Sequence, residues 1–524
     1  MFCQWYSQYS GVIMLSNLIF GGFPMRYTKI AIAKPFEGAP KINIASVFGA
    51  SPNKPFILRI PVTGERPMKY GAENLPAGLT LENNIITGAV LSEGDYEITL
   101  IAENALGRAE KKVKLEIHPG NVLVTPLLGF TTWNAFGADV TQEDVENTAQ
   151  KLVDLGITEY GYRYMNLDSG WQEKYGGEFD AVMPNRKFPD MKKMTDKIHS
   201  LGMKAGTYST PMLTAWGCPK EFASIPGCTT GAPDPIFTLT NGGIGVERKE
   251  RNNAKQWEAW GFDYLKYDWR PTDTYNAELM RKELAALNRD FGYCVTIRAI
   301  KEFSNYWSKY VTSYRSCPDT HREWPNLIKI YRSYFDFIDC VNKGHYPDLD
   351  LLDIGTCRCE AVRGTFTQDE QVVAYSVRAF LNSPIQISST MEHLDDFEFS
   401  LYCNDEIIAI NQDAAFCTAK PIYQEEKENS ILDVFEKKLE DGSYAYAFFN
   451  FGETKQKVLG RFADKATLRD VWAKEDLDSA KYLDLELMPH TVRILKSSQK
   501  LETVANAIEE VLVQTEPVIV DTDA

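Results

Sequence analysis

The stretch WGFDYLKYDWR, residues 260–270, has the composition of a buried strand but ends in charged residues. Its aromatic and apolar residues are interrupted by Lys266 and Asp268 near the end of the run. Because side chains on a strand alternate between faces, Lys266 and Asp268 are predicted to share one face with Tyr264. An isolated Lys-x-Asp pair is most simply a structural salt bridge. The pair suggests chemistry only if other strands end in the same way.

The bulk composition is typical of a soluble globular protein with more than one domain. Of the 524 residues, 44% are hydrophobic and 24% are charged, and the length predicts about three domains. The formal charge of −16 argues against a nucleic-acid partner and favours a neutral or cationic one. Aromatic residues are frequent at 12%. Tyrosine and tryptophan suit sugar-binding clefts, although protein cores use them as well.

The cysteines and histidines give no metal-site signature. Ten cysteines lie at irregular spacings, and only six histidines are scattered along the chain. Cys357 and Cys359 lack a partner pair at zinc-ligand spacing, so we expect free, mostly buried thiols and neither metal nor cofactor. Residues 11–25 are apolar, but no Lys or Arg precedes them and no clean cleavage site follows. They are too short for a confident membrane span, and Met25 is an alternative start site.

Three patterned regions follow an N-terminal segment, residues 1–40. Residues 41–120 contain short alternating strands separated by Gly, Pro and Asn, which predicts a small β-sandwich of immunoglobulin type. Residues 125–413 alternate strands with helices about eight times, which predicts a (β/α)8 barrel, with a doubly wound sheet as the alternative. Residues 414–498 predict an antiparallel β-domain. The acidic tail, residues 499–524, is expected to form one helix before fraying.

Polar side chains end almost every predicted strand of the barrel region. Chemistry in such barrels lies at the carboxyl ends of the strands, so these side chains are candidates for one shared site: Trp133, Asp168, Tyr208, Lys266, Asp268, Arg298, Arg315, Asp319, Asp348 and Asp350. One acidic residue after a strand is usually a helix N-cap. Five carboxylates from four strands instead suggest glycoside hydrolysis, which needs a nucleophile, a general acid/base and hydrogen bonds to sugar hydroxyls.

The neighbouring charges predict different pKa values for the two catalytic candidates. Lys266 is expected to keep Asp268 ionised at neutral pH by Coulomb attraction, as a nucleophile requires. Asp319 is expected to lie in a drier and less cationic environment, where a raised pKa suits a proton donor. The two carboxyl groups are predicted to lie about 5–5.5 Å apart, the spacing of retaining enzymes.

Motifs in the middle region resemble those of glycoside hydrolase family 27 in clan D, the family of α-galactosidases and α-N-acetylgalactosaminidases. The resemblance covers about residues 125–417 and lies in the motifs LLGFTTWNAFG, YLKYDW, YRSCPDTHREW, GHYPDLDLLDIG and DEIIAINQD. The N-terminal stretch IPVTGERPMKYGAENLPAGLTL is similar to the immunoglobulin-like module found ahead of bacterial enzymes of this kind. The resemblance implies double displacement with retention at the anomeric carbon, without metal or cofactor.

The resemblance also implies residue roles. It makes Asp268 the nucleophile and Asp319 the acid/base. It assigns contacts with the sugar to Trp133, Asp168, Tyr208, Lys266, Arg298, Arg315 and Asp350, with Asp348 in support.

Three departures from the family pattern bear on the substrate. Ser169 follows Asp168, where the family has a second aspartate that holds the C4 and C6 region of galactose. Arg298 lies near the position that reads the C2 substituent, and its fork of donors suits a hydroxyl or a carboxylate. Trp269 replaces a family cysteine, so the disulfide to a loop cysteine such as Cys218 is predicted to be absent.

The leading hypothesis is a retaining exo-glycosidase that removes terminal α-linked galactose from oligosaccharides or glycans. Alternatives within the class are an α-N-acetylgalactosaminidase, a β-L-arabinopyranosidase and an α-glucan-cleaving relative. An alternative from another class is a non-catalytic carbohydrate-binding protein on a glycosidase barrel, although the presence of both Asp268 and Asp319 argues against it. The resemblance implies the periplasm or the outside of the cell, whereas residues 11–25 lack signal-peptide features. The sequence leaves the oligomeric state open.

Overall fold

The computed structural model describes residues 27–211, 248–268, 274–296 and 301–507. The predictions for Arg298, Trp269 and Cys218, and for the apolar segment 11–25, therefore lie outside the described residues. Within the described ranges, the seven cysteines present are free thiols, as expected. No helix in these ranges is long and apolar enough to cross a membrane.

The N-terminal part is a two-sheet β-sandwich. Its strands are β1 (Lys41–Ile42), β2 (Val47–Ala50), β3 (Phe56–Arg59), β4 (Val62–Thr63), β5 (Lys69–Glu73), β6 (Leu79–Glu82), β7 (Ile85–Gly88), β8 (Gly94–Asn104) and β9 (Gly107–Ile117). The two sheets of the sandwich have the orders β2-β9-β8-β5 and β3-β7-β6, and β1 and β4 form a separate two-stranded sheet. Alternation along β8 buries Ile98, Leu100 and Ala102 completely, and these residues share one core with Leu58 and Ile86 of the other sheet.

The middle part contains eight parallel strands in ring order among the described residues. The strands are β10 (Leu128–Thr131), β11 (Tyr164–Asn166), β14 (Lys204–Ser209), β15 (Tyr264–Tyr267), β16 (Gly292–Val295), β17 (Ser313–Arg315), β18 (Tyr346–Asp348) and β19 (Ile385–Ile387). A separate antiparallel hairpin, β12 (Gln172–Gly176) with β13 (Ala181–Pro184), lies outside the ring. Consecutive strands pair in parallel, and β19 pairs with β10.

The two ends of this curled sheet meet just beyond β18. A parallel bridge joins Leu352 to Ile387, with the Leu352 N–H donating to the Gln386 carbonyl at 2.8 Å. The arrangement is consistent with a (β/α)8 barrel and differs from the doubly wound alternative. As a result, the carboxyl ends of all eight strands meet at one mouth.

Helices connect these strands. They are α1 (Thr132–Phe136), α2 (Gln142–Asp154), α3 (Met191–Ser200), α4 (Glu250–Trp260), α5 (Thr274–Ala285), α6 (Ser304–Tyr310), α7 (Trp324–Ser333), α8 (Gln368–Phe380), α9 (Asp396–Tyr402) and α10 (Asp405–Asn411). Five of those described begin at a side-chain cap: α2, α3, α8, α9 and α10. Thr141 and Asp144 form a capping box at α2, and Thr367 and Glu370 form one at α8. Gly156 follows α2 in the left-handed conformation that ends many helices.

The C-terminal part is a seven-stranded antiparallel sheet. Its strands are β20 (Lys420–Lys427), β21 (Ser430–Lys438), β22 (Tyr444–Asn450), β23 (Gln456–Asp470), β24 (Glu475–Leu487), β25 (Thr491–Ser497) and β26 (Leu501–Asn506). The prediction of a helix in the tail is wrong over its first residues, because β26 pairs with β23. Leu501 packs into the core of the sheet, and this burial favours a strand over the acidic helix that composition suggested.

Both β-parts are attached to the barrel by buried polar contacts. Glu159, 2% exposed, accepts hydrogen bonds from Arg59 Nη2 and the Val62 N–H of the sandwich, each at 2.9 Å. On the other side, Trp324 at the start of α7 donates its Nε1–H to the Phe451 carbonyl at 3.2 Å and stacks on His490, with ring centroids 4.0 Å apart. The barrel and the inner face of the C-terminal sheet share one hydrophobic core.

Candidate active site

A cavity of about 610 Å³ opens at the mouth of the barrel. This volume is typical of a small-molecule site. Eight of the nine residues predicted for the catalytic and sugar-binding site line it: Trp133, Asp168, Tyr208, Lys266, Asp268, Arg315, Asp319 and Asp350. The ninth, Arg298, is outside the described residues. The strand ends therefore bring the predicted residues together around one space.

Lys266 and Asp168 form a buried ion pair across the cavity floor. Lys266 lies on β15 and Asp168 follows β11, and Lys266 Nζ is 2.7 Å from Asp168 Oδ2. Burial disfavours the charged form of Lys266, but the attraction of Asp168, followed by that of Asp268, outweighs it and raises the lysine pKa. Lys266 is therefore a fixed cation, and its Nζ also lies 5.8 Å from the Tyr208 ring centroid.

Asp268 is the first residue after β15 and is 9% exposed. One of its carboxyl oxygens accepts a hydrogen bond from the hydroxyl of Thr296, which follows β16. Burial raises the pKa of Asp268, while the attraction of Lys266 and the Thr296 hydrogen bond act in the opposite direction. Lys266 therefore favours the ionised carboxylate, in the direction expected, but the desolvation of Asp268 is the larger effect.

On the far side of the cavity, Arg315 contacts two carboxylates, those of Asp319 and Asp350. It ends β17, is 6% exposed, and forms an ion pair with Asp319. Its Nη2 also lies 3.4 Å from Asp350 Oδ2. Asp350 has a φ of 66°, a left-handed conformation that is uncommon for aspartate. Its carboxylate is fixed there by the Thr320 N–H, which donates to Oδ2 at 2.7 Å.

Asp319 has the opposite electrostatic environment from the one predicted. Its side chain is 81% exposed, and the attraction of Arg315 holds its pKa below the ordinary value for aspartate, with burial acting in the other direction. The prediction of a drier and less cationic position was wrong because Arg315, four residues earlier, reaches the carboxylate from the end of β17.

Two aromatic side chains and one serine complete the floor and wall. Trp133, in the helix directly after β10, and Tyr208, on β14, both line the cavity. Ser169 also lines it and is buried, and its hydroxyl has no hydrogen-bond partner among the described residues. Asp348 is buried behind the site, and its Oδ1 accepts from the Asp350 N–H at 2.8 Å. Asp348 therefore helps to fix the backbone at Asp350.

The sequence analysis missed several residues of this site. Thr296 ends a strand as the other candidates do, so the strand-end criterion could have found it. The missed residues that line the cavity lie on loops, on α1 and on α7, where no pattern marks them: Asn134, Cys317, Pro318, Thr320, His321, Asn326, Lys329, Leu351, Ala361, Val362 and Arg363. Among the described residues, no cluster of three or more His, Cys, Asp or Glu side chains is placed to hold a metal ion.

Comparisons with known proteins agree with this geometry. Residues 429–497 match the family model of the α-galactosidase C-terminal β-sandwich domain. α-Galactosidase 2 of Arabidopsis thaliana is 25% identical over 71% of this chain and 89% of its own length. A crystal structure from Bacteroides fragilis, of a protein provisionally assigned as an α-galactosidase, is 28% identical with a TM-score of 0.77. It covers 89% of this chain and 99% of that chain.

Two observations from the solved structures concern the fold. The B. fragilis structure covers a larger part of this chain than residues 121–524 alone make up. The likeness therefore extends into the N-terminal sandwich. A family 27 β-L-arabinopyranosidase from Geobacillus stearothermophilus has a TM-score of 0.62 at 23% identity, over 72% of this chain and 97% of that chain. At that identity the likeness establishes the barrel fold alone.

The barrel, its carboxylate-lined mouth and these relatives define the class of the protein: it is a glycoside hydrolase. Within that class, it is related over most of its length to α-galactosidases.

Proposed function

We propose that this enzyme hydrolyses terminal α-galactosidic linkages of oligosaccharides or glycans with retention at the anomeric carbon, using Asp268 as nucleophile and Asp319 as acid/base. The observation that carries the proposal is that both carboxylates line one cavity. The other charged residues on the floor of this cavity form ion pairs with one another. A buried floor suits an exo-acting enzyme, which accepts one terminal sugar.

The first step gives each carboxylate one role. Asp268 attacks the anomeric carbon and forms a covalent glycosyl-enzyme, while Asp319 donates its proton to the leaving oxygen of the glycosidic bond. In the second step, Asp319 takes a proton from water, and the resulting nucleophile displaces Asp268 from the sugar. Asp319 suits the second role because its side chain is open to solvent.

The directions of the two pKa shifts in the free enzyme are opposite to those that these roles need. Burial raises the pKa of Asp268, and Arg315 lowers that of Asp319, whereas catalysis needs Asp268 ionised and Asp319 protonated. A sugar bound against Arg315 would compete for its hydrogen bonds and weaken the ion pair with Asp319. Substrate binding would also exclude water from Asp319, and both changes favour its protonated form.

The sugar specificity depends on the floor residues. Asp168, Lys266, Arg315 and Asp350 offer the donors and acceptors that galactose hydroxyls require, and Trp133 offers an apolar face. Ser169 favours a second candidate, β-L-arabinopyranoside, because arabinopyranose has the ring of galactose without C6 and a serine replaces the aspartate expected beside the C4 and C6 region.

A panel of nitrophenyl glycosides tests the proposal. It contains α-galactoside, α-N-acetylgalactosaminide, β-L-arabinopyranoside and α-glucoside, with the first-formed sugar anomer read by NMR. We expect α-galactoside to be cleaved with retention, and Asp268→Asn to lower kcat/KM on the order of 10⁴-fold or more. Asp319→Asn should lower it less with a nitrophenyl leaving group, which needs little protonation, than with a sugar leaving group.

The outcomes separate the candidates. Cleavage of β-L-arabinopyranoside in preference to α-galactoside would favour the second candidate and implicate Ser169. Sugar binding without turnover of any panel member would instead favour a non-catalytic carbohydrate-binding protein. An inverted product, or a carboxyl separation near 9 Å instead of about 5–5.5 Å in a crystal structure, would contradict the double-displacement mechanism.

The domain division is part of the same proposal. Residues 41–120 would form an immunoglobulin-like module, 125–413 the catalytic barrel and 414–498 a C-terminal module, which we extend to Asn506 because β26 pairs within the sheet. The two-sheet core of the N-terminal part supports the first assignment. Neither β-part lines the cavity at the mouth, so both are assigned structural roles.

A further inference from the structure

The outer part of the cavity is lined by basic side chains. His321 follows Asp319 by two residues, Lys329 lies on α7, and Arg363 lies in the loop between β18 and α8. We call these three residues the basic rim. Arg363 Nη2 lies 3.1 Å from His321 Nε2. Because a guanidinium only donates, His321 Nε2 accepts, which places the imidazole proton on Nδ1.

The charges of the rim are not neutralised within the described part of the chain. Lys329 and Arg363 are both exposed, and neither forms an ion pair with a described residue. Of the exposed acids of the same segments, Glu323 and Glu360 do not line the cavity, and Asp319, which does, is paired with Arg315. The Nδ1–H of His321 is buried without a described partner.

The floor of the cavity shows the opposite pattern. Its cations Lys266 and Arg315 are each paired with aspartates, so the floor as a whole carries no excess positive charge. The positive charge of the rim also contrasts with the formal charge of −16 on the whole chain. A local cationic site on an acidic protein attracts an anion there, although the molecule as a whole repels it.

The position of the rim identifies the part of the substrate that it faces. The terminal sugar occupies the buried floor beside Asp268, and the acid/base Asp319 must reach the glycosidic oxygen. The leaving group therefore lies outward from Asp319, where the basic rim is. This step rests on the proposed function, because the direction follows from the roles of Asp268 and Asp319.

We propose that the enzyme prefers α-galactosides whose leaving group carries an anionic substituent, a carboxylate or a sulfate, which Lys329 and Arg363 bind. The planar fork of Arg363 suits either group through two parallel hydrogen bonds, and Lys329 adds a flexible point charge. The His321 acceptor bond orients the Arg363 guanidinium.

Three disaccharides with terminal α-galactose test this preference. Their second sugars are glucose, glucuronate and glucose 6-sulfate, which differ only at C6, and galactose release gives kcat/KM for each. We expect at least one anionic substrate to exceed the glucose compound by about tenfold, the ratio that one charge-assisted hydrogen bond supplies. The ratio should fall as salt concentration rises.

Variants assign the preference to the rim. Lys329→Gln and Arg363→Gln, alone and together, should reduce the ratio of anionic to neutral kcat/KM toward one. Lys465→Gln is the matched control, because Lys465 is an exposed lysine of β23 that does not line the cavity. It removes the same charge and should keep the wild-type ratio.

Each outcome has one meaning. A preference for only glucuronate or only the sulfate supports the inference and identifies the group. Equal rates on the three disaccharides, or a preference that survives the double variant, overturn it. Turnover of nitrophenyl α-galactoside with none of the disaccharides overturns this inference alone. Absence of turnover on every α-galactoside overturns the proposed function and this inference with it.

Discussion

At the scale of single residues, the charge state of Lys266 and Asp268 at the end of β15 depends on a third residue, Asp168. Lys266 makes its 2.7 Å contact with Asp168 from another strand, so its charge is fixed by a partner that is distant in sequence. Asp268 feels the same cation through space while burial disfavours its ionised form. The reactivity of Asp268 therefore depends on a balance between desolvation and a shared positive charge.

Replacement of Lys266 tests this balance. In Lys266→Met the attraction that lowers the Asp268 pKa is lost while burial remains, so the pKa should rise further. Because the nucleophile must be ionised, activity is lost as pH falls through this pKa. The acidic limb of the pH dependence of kcat/KM should therefore move to higher pH, together with a lower maximum.

Lys204→Met serves as the control for this measurement. Lys204 begins β14 and therefore lies at the opposite end of the barrel from the cavity. Its removal should leave the acidic limb where it is in the wild type. An unchanged limb in Lys266→Met would mean that Asp268 is not the group that titrates there.

The sequence predicted which residues meet in the site better than it predicted their ionisation. The alternation of side chains and the position of strand ends can be read from the local sequence. These two criteria located Asp168, Asp268 and Asp350. The pKa of Asp319 depends on the direction taken by the Arg315 side chain and on the exposure of the carboxylate. These quantities exist only after folding, and both differed from expectation.

At the scale of elements, one helix cap connects the outer layer of the barrel to the C-terminal sheet. The capping box at α8 consists of Thr367 and Glu370, and the Glu370 carboxylate also lies 2.8 Å from His490 Nδ1 of the C-terminal part. One cap therefore orders a helix terminus and its contact with a neighbouring sheet.

Removal of the Thr367 hydroxyl should destabilise the protein. Thr367→Ala deletes the acceptor of the Glu370 N–H, and loss of such a cap costs about 1 kcal/mol. Chemical denaturation of the full chain should record this decrease in the free energy of unfolding. Thr367→Ser keeps the hydroxyl and should be close to wild type. An equal loss in both variants would assign the effect to the methyl group instead of the cap.

Some elements carry strong local signals in the sequence, whereas others are decided by distant contacts. The capping box of α2 and the left-handed Gly156 are written in consecutive residues. Strand β26 is different. Its acidic composition resembled that of a fraying helix, but its apolar side chains pack in the sheet that the preceding strands form. Burial against β23 decided its conformation.

At the scale of the whole molecule, the barrel is held between two β-parts by buried charges. Glu159 connects the turn after α2 to the sandwich through Arg59 and the Val62 N–H. A buried acceptor with these partners fixes the relative position of the two parts, since displacement would leave charged groups unpaired in an apolar environment.

Glu159→Ala should therefore weaken the attachment of the sandwich. Removal of one member of a buried charge pair costs about 3–5 kcal/mol, because it leaves the Arg59 guanidinium buried without its partner. We expect a lower melting temperature for the full chain. Glu65→Ala removes the same charge from an exposed position in the sandwich and should change the melting temperature little. Equal effects of both variants would contradict a specific role for the buried pair.

The attachment of α7 to the C-terminal sheet has a consequence for how such enzymes diversify. Trp324 fixes the start of α7 against Phe451 and His490, and the same helix carries Lys329 to the cavity mouth. Substitutions in the sheet can shift this helix while the floor residues stay on their own strands. Selection can therefore act separately on the two parts of a substrate. The barrel strands retain the residues that bind the terminal sugar, and substitutions that shift α7 can change which leaving group is accepted.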